Sequence, residues 1–379
     1  MNRKKLIAFS LSLAMTVVPV TPAAAAGAEQ NSEGLQNAVL DLGFENSLED
    51  SSGKGNNGTL SSGNAEYVDG VVGKALKMNG SSYVNLGTST DLQPENLTLS
   101  FWIRPDTAMT GEELISWNKN EWYTDGWYLS SENDNTPLTL SIGPAKTNGQ
   151  PYRVSVSGKR SDFFPAGEWT HIAVTYDKDS KEICFYRNGV KCSTVTTYGI
   201  SGESTGVLGS DASMEKSVGY NGPKYKGAYL KASLDEYQLY NDVATPEEVI
   251  ALYEESGQTF DRKAVAQADL DKISIPETTQ GNLSLPATGE SGSAISWSSD
   301  NEAVVAADGT VVRPGVGEKD VTVTLTAEAS YLNGEKVTKT YKVTVTAKQE
   351  INITTSSIMG DVTLEDDYLV NAAQKEDEY

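Results

Sequence analysis

The 379-residue chain holds one histidine and two cysteines. A Cys/His zinc cluster needs about four such ligands and a disulfide scaffold needs several cysteine pairs, so both are excluded. Basic residues are also scarce, with 30 Lys+Arg against 52 Asp+Glu and a formal net charge of −22. That field repels polyanions, so nucleic acid is not an expected partner. Beyond the N-terminus no apolar run is long enough to span a bilayer as a helix. At 38% hydrophobic and 22% charged residues, the chain is too balanced for a coiled coil, a collagen or a multi-span membrane protein. Its length suggests two or three domains, each able to bury a core.

The N-terminus carries an address. Arg3, Lys4 and Lys5 precede an apolar stretch from Leu6 to Val20, and Ala24-Ala25-Ala26 supply the small residues a signal peptidase needs. Residues 1–26 therefore read as a secretory signal, and the mature chain is expected to be secreted or extracellular, monomeric and without a transmembrane segment. Leu285-Pro286-Ala287-Thr288-Gly289 matches a sortase sorting pattern, but polar Glu290-Ser291-Gly292-Ser293 follows instead of an apolar span. It reads as a turn between strands.

From Ala38 to Gly257 the pattern is short alternating segments broken by Gly, Asn, Asp and Pro, as in Tyr152-Val154-Val156 and Ile172-Val174-Tyr176. Period-two alternation with frequent turn signals predicts an antiparallel β-sandwich. Asn188-Gly189 marks a two-residue hairpin. Thr245-Pro246-Glu247-Glu248 starts a short helix as a capping box with Pro at its first position, and Gly257 ends it. A second module, Asp261 to Lys348, alternates in Val321-Val323-Leu325 and Tyr341-Val343-Val345, with Asn333-Gly334 as another hairpin. It reads as a small Ig-like sandwich with Trp297 as its main aromatic core residue. Residues 349–379 change character and stop without a partner helix, so they are either disordered or the start of a truncated downstream domain. No internal repeats are present.

Several stretches in order carry a resemblance: Leu42-Gly43-Phe44-Glu45, Gly73-Lys74-Ala75-Leu76, Leu99-Ser100-Phe101-Trp102-Ile103, Trp169-Thr170-His171-Ile172 and Leu234-Asp235-Glu236. Residues 38–257 resemble the laminin-G-like, concanavalin-type jelly rolls of bacterial secreted proteins. Residues 261–348 resemble the bacterial Ig-like modules that follow such jelly rolls in cell-surface hydrolases. The tail from Asp361 through Asp366-Asp367-Tyr368 to Tyr379 is similar to the opening of β-L-arabinofuranosidase catalytic domains. The resemblance implies an all-β fold, a concanavalin-like jelly roll followed by an Ig-like sandwich. It also implies a non-catalytic carbohydrate-binding and spacer region of a glycoside hydrolase acting on plant polysaccharide. A cell-surface adhesion or protein-interaction segment is the alternative, since jelly rolls host many functions.

The run Asp50-Ser51-Ser52-Gly53-Lys54-Gly55-Asn56-Asn57-Gly58 packs side-chain oxygens among flexible glycines, which suits calcium or, without metal, an Asx-rich turn. The resemblance implies a structural calcium held by Asp50, Asn57 and Asp235, with Glu45 as a fourth ligand. Sugar rings stack on Trp and Tyr while polar neighbours bond their hydroxyls. Trp122 and Tyr123, in a polar stretch, and Trp117 before them are the candidate carbohydrate-binding residues, with loop anchoring as the competing role. His171 has no Ser or Cys motif beside it and reads as structural. The jelly-roll glycosidases carry a Glu-x-Asp-x-x-Glu strand motif that is absent here, so no catalytic site is expected in this chain. With a two-residue turn, Cys192 faces Phe185 and Cys184 faces Ser193, which forbids a bridge; a longer loop would shift the register and allow one.

Overall fold

The computed structural model describes residues 35, 38–119, 125–144, 151–192, 194–198, 213–220, 229–353 and 369–372. Two eight-stranded sheets form the first module. One runs in the order Val190–Lys191, Ile183–Arg187, Thr170–Tyr176, Leu97–Pro105, Ala232–Tyr240, Lys74–Lys77 and Glu66–Asp69, with Ala38–Leu42 also paired to Ala232–Tyr240. The other runs Thr194–Tyr198, Pro151–Val156, Thr139–Pro144, Gly126–Ser131, Glu113–Lys119, Ser217–Val218, Val84–Asn85 and Thr59–Leu60. All these pairings are antiparallel, and one large apolar core lies between the sheets, including Leu99, Phe101, Leu129, Leu140, Val174 and Leu234. Alternation explains it: in Thr170–Tyr176, Ile172, Val174 and Tyr176 face that core, while Ala173 joins a smaller cluster on the other face.

His171 lies on that other face, 1% exposed. Its Nε2 sits 2.9 Å from the Ser100 hydroxyl, and Trp102 and Tyr253 flank its ring. Burial pushes its pKa down to about 3, so the imidazole is neutral and structural. The Asn188-Gly189 turn takes positive φ at both residues, 49° and 78°, as its hairpin type requires. Cys192 N–H donates to the Phe185 carbonyl at 2.8 Å, the register of a two-residue turn, and both cysteines are free thiols. The helix Pro246–Glu255 has its full capping box, with Thr245 and Glu248 bonded reciprocally.

The second module departs from a two-sheet sandwich. Among the described residues it has one four-stranded sheet, ordered Thr278–Thr279, Val337–Val345, Val321–Ser330 and Ala294–Ser299. Opposite this sheet, isolated bridges such as Val305–Val311 stand where a second sheet was expected. Gly309, Pro314, Gly315 and Gly317 punctuate that segment too densely for a long ladder. An unanticipated helix, Arg262–Lys272, covers part of the sheet. Asp261 caps its start by accepting from Ala264 N–H, and Lys339 and Tyr341 donate to the Leu270 carbonyl near its end. The Pro286–Gly289 stretch is a turn, with Gly289 N–H bonded to the Ser293 carbonyl and Trp297 Nε1 donating to the Pro286 carbonyl. Trp297 is half-buried against Tyr341, between two small clusters, and is not the centre of one core.

The two modules share a hydrophobic cluster. Ile250 of the helix Pro246–Glu255 and Phe260 of the connection pack with Ala266, Leu270, Ala329 and Tyr331 of the second module. Aromatic contacts run from Trp102 to Tyr253, to Phe260 and to Tyr331.

Candidate functional site

The hairpin of strands Glu113–Lys119 and Gly126–Ser131 fixes two ends of the second sheet. Lys119 pairs Gly126 at one end and Glu113 pairs Ser131 at the other. Trp122 and Tyr123 lie outside the described residues. Trp117 is described, and it corrects the sequence reading. It is 2% exposed, and its ring stacks on Tyr128 at 5.3 Å in a cluster with Leu114 on the face away from the main core. Its faces are spent on packing, so it does not serve as a sugar platform.

The end marked by Glu113 and Ser131 carries an open cavity of about 470 Å³. The core residues Met109 and Phe164, 6% and 1% exposed, close its floor, and Asp134, Asn135, Lys159 and Arg160 supply polar groups. Three loops meet there, each set by local chemistry. Asn133 accepts from Asn135 and Thr136 N–H, tightening the loop that presents Asp134 and Asn135. Arg160, 3% exposed, ties two loops together by donating to the Gly111 and Asn133 carbonyls at 2.7 and 3.2 Å. Its Nη2 is buried with no hydrogen-bond partner. Burial holds the Arg160 pKa below its ordinary value, while Asp134 and Glu113 pull it upward. Burial raises Glu113, whose Oε2 accepts from Lys231 N–H at 3.0 Å. The lining thus mixes donors, acceptors and an apolar floor, the combination a sugar's hydroxyls and C–H faces require.

At the same end Tyr83, Tyr220 and Tyr229 stack in succession, with centroids 4.7 and 4.5 Å apart. Three separate segments supply them, so spacing in the sequence gives no sign of the stack.

The four residues expected to hold calcium fall into two pairs. Asp50 accepts from Asp41, Ser52 and Asn56 N–H and from the Ser52 hydroxyl, at 2.8–2.9 Å. Asn57 Oδ1 accepts from Asp50 N–H at 2.8 Å. Burial would raise Asp50, but the hydrogen bonds from Ser52, Asp41 and Asn56 outweigh it and lower its pKa. This carboxylate is saturated by its own loop. Asp235 is fully buried, accepting from Val71, Val72 and Glu236 N–H. Burial pushes its pKa to about 6, with Glu45 adding repulsion. Glu45 in turn accepts from Lys74 N–H at 3.3 Å, so both acids address the turn Val71–Lys74. Of the four expected ligands only these two lie at one turn, and the Asp235 oxygens already accept three backbone N–H groups. Among the described residues, no group of three or more His, Cys, Asp or Glu is arranged to hold a metal ion.

Comparison with known proteins follows the same division of the chain. Residues 78–250 match the concanavalin A-like lectin/glucanases superfamily. Residues 263–348 match the atrophied bacterial Ig domain. The chain joins a concanavalin A-like module to an atrophied bacterial Ig domain. Atrophy fits the single four-stranded sheet of the second module. An alpha-L-arabinofuranosidase from Bifidobacterium longum subsp. longum is 39% identical over 110 residues, which cover 23% of this chain and 10% of that protein. Among solved structures, domain 4 of a GH43 extracellular arabinanase from Geobacillus stearothermophilus, in complex with arabinotriose, is similar at 22% identity and a TM-score of 0.44. That match covers 58% of this chain and all of the domain. The binding domain of botulinum neurotoxin serotype C1 is similar at 15% identity and a TM-score of 0.44, covering 81% of this chain and 73% of that one. The concanavalin-like module is a carbohydrate-binding type of fold. No helix among the described residues is long and apolar enough to cross a membrane.

Proposed function

We propose that this chain is the non-catalytic, carbohydrate-binding front of a secreted glycoside hydrolase acting on arabinose-containing plant polysaccharide. The observation that carries the reading is the cavity beside Arg160. It combines Met109 and Phe164 with donors and acceptors from Asp134, Asn135, Lys159 and Arg160 in a concanavalin-like module. The partial identity to an arabinofuranosidase supports the choice of arabinose-containing glycan. In this reading a sugar's hydroxyls exchange hydrogen bonds with the polar rim, above a floor closed by the core residues Met109 and Phe164. The tyrosine stack at the same end extends the contact to further sugars of a chain. Export through the N-terminal signal of residues 1–26 brings the module to its substrate. Calcium at Glu45 and Asp235 stiffens the turn at Val71–Lys74, offsetting the repulsion between the two acids.

Affinity electrophoresis of the chain through gels containing linear arabinan, arabinoxylan or a glucan tests the reading. Retardation by an arabinose-containing polymer and not by the glucan is expected. Free migration through every gel would sink it.

A further inference from the structure

A second opening lies at the join of the two modules and takes no part in the cavity reading above. It is a groove of about 450 Å³ lined by Phe163, Arg187, Lys191 and Cys192 of the first module and by Lys272 and Glu290 of the second. Three of these side chains are cations and one is an anion, in a chain of net charge −22. Glu290 is already engaged with Lys272, 2.8 Å from its ammonium. Arg187 donates through Nε to the Phe163 carbonyl at 3.1 Å, and its guanidinium lies 5.8 Å from the Phe163 ring centroid. These contacts fix the cation beside an aromatic surface. Lys191 is 3.4 Å from Glu182, a half-exposed pair that costs little to exchange for another carboxylate. With Glu290 and Glu182 set against Arg187, Lys191 and Lys272 the groove keeps one cation in excess, in a chain that is acidic overall, and Phe163 and Val190 close its apolar side.

We infer that the groove between the modules binds a carboxylate-bearing polysaccharide, a chain of uronic acid residues, with Arg187 and Lys191 on one wall and Lys272 on the other. The apolar face of a uronate ring packs near Phe163 while its carboxylate meets Arg187 and Lys191. The second module thereby completes a binding site and is more than a spacer. The site is built because the helix Arg262–Lys272 docks against the first module through the Phe260 cluster and carries Lys272 to the groove.

The test is titration of the full chain with oligogalacturonate at two salt concentrations. Saturable binding that weakens with salt is expected. Lys191→Ala and Lys272→Ala should each weaken it about two- to fivefold, the scale of one exposed ion pair. Lys263→Ala removes a cation of the same helix that pairs with Glu335 and is not among the groove residues, and it should leave binding unchanged. Asp134→Ala in the cavity should also leave oligogalacturonate binding unchanged, so failure of the groove and failure of the cavity are read separately. The proposal is overturned by an absence of binding, by equal weakening in Lys263→Ala and Lys272→Ala, or by a sulfated polyanion binding with the same variant dependence.

Discussion

The first module buries its strands completely along long stretches, whereas the second leaves alternate residues half-exposed. Thr170–Tyr176 is buried at every position, while Val321–Ser330 alternates buried with half-buried or exposed residues. Two eight-stranded sheets supply the first with a core of its own; a single four-stranded sheet supplies the second with two small clusters. The cluster around Phe260 draws on Ile250, a residue of the first module. A module with one small sheet thus draws apolar surface from its neighbour, and the shared cluster fixes the groove between them.

The most severe way to break that arrangement is Phe260→Ala. Removing a buried ring should cost about 3–5 kcal/mol, and calorimetry should show the second module melting earlier, in a transition of its own. An unchanged single transition would mean that the modules do not depend on this contact.

Acid should act on the first module through two buried groups of opposite sign: Asp235, raised to about 6, favours the folded state as pH falls, while the buried neutral His171 disfavours it. The unfolded histidine takes its proton near the ordinary value of 6.5 and the folded one only near 3. The unfolded state thus binds more protons throughout that window, and stability present above it is lost as pH falls through it. Between pH 6.5 and 4.5 the loss from this site should be about 2–3 kcal/mol. Urea unfolding at a series of pH values measures it as the difference between parent and His171→Phe, since Asp235 titrates in both; parallel curves for parent and variant would contradict it.

Gly189→Ala should cost about 1–3 kcal/mol. The turn needs positive φ there, and a Cβ would come 2.7 Å from the Phe260 ring. Because that ring belongs to the shared cluster, the variant should also loosen the second module, seen as faster proteolysis beyond Phe260. Glu248→Ala should cost less, about 1 kcal/mol. It removes the reciprocal bond of the capping box on the helix that carries Ile250, and a fall in the melting temperature with no change in the second module's proteolysis is expected.

Local chemistry made much of the fold legible. The Asn188-Gly189 turn, the capping box at Thr245 and the period-two strands each declare themselves within a few residues. The positions of Cys184 and Cys192 follow from that turn by register alone. The helix Arg262–Lys272 was less visible because only Ala266, Asp269 and Leu270 of its residues are buried, and strand patterns dominate the surrounding sequence. Sites assembled from distant segments left no local trace. The cavity joins loops near residues 109, 134 and 160, and the tyrosine stack joins residues 83, 220 and 229. Trp117 misled for the opposite reason: proximity groups it with Trp122 and Tyr123, whereas it follows Leu114-Ile115 in a strand and its ring packs on Tyr128.

The most direct test of the glycan reading is titration calorimetry of the chain with arabino-oligosaccharides, comparing the parent with the double variant Asp134→Ala/Lys159→Ala. Both side chains line the cavity, and both residues are exposed, so the fold should tolerate their removal. The account predicts saturable binding by the parent and at least about a tenfold loss in the double variant, the effect of roughly 1.4 kcal/mol. Equal affinity in the two proteins, or no binding by the parent, would contradict it.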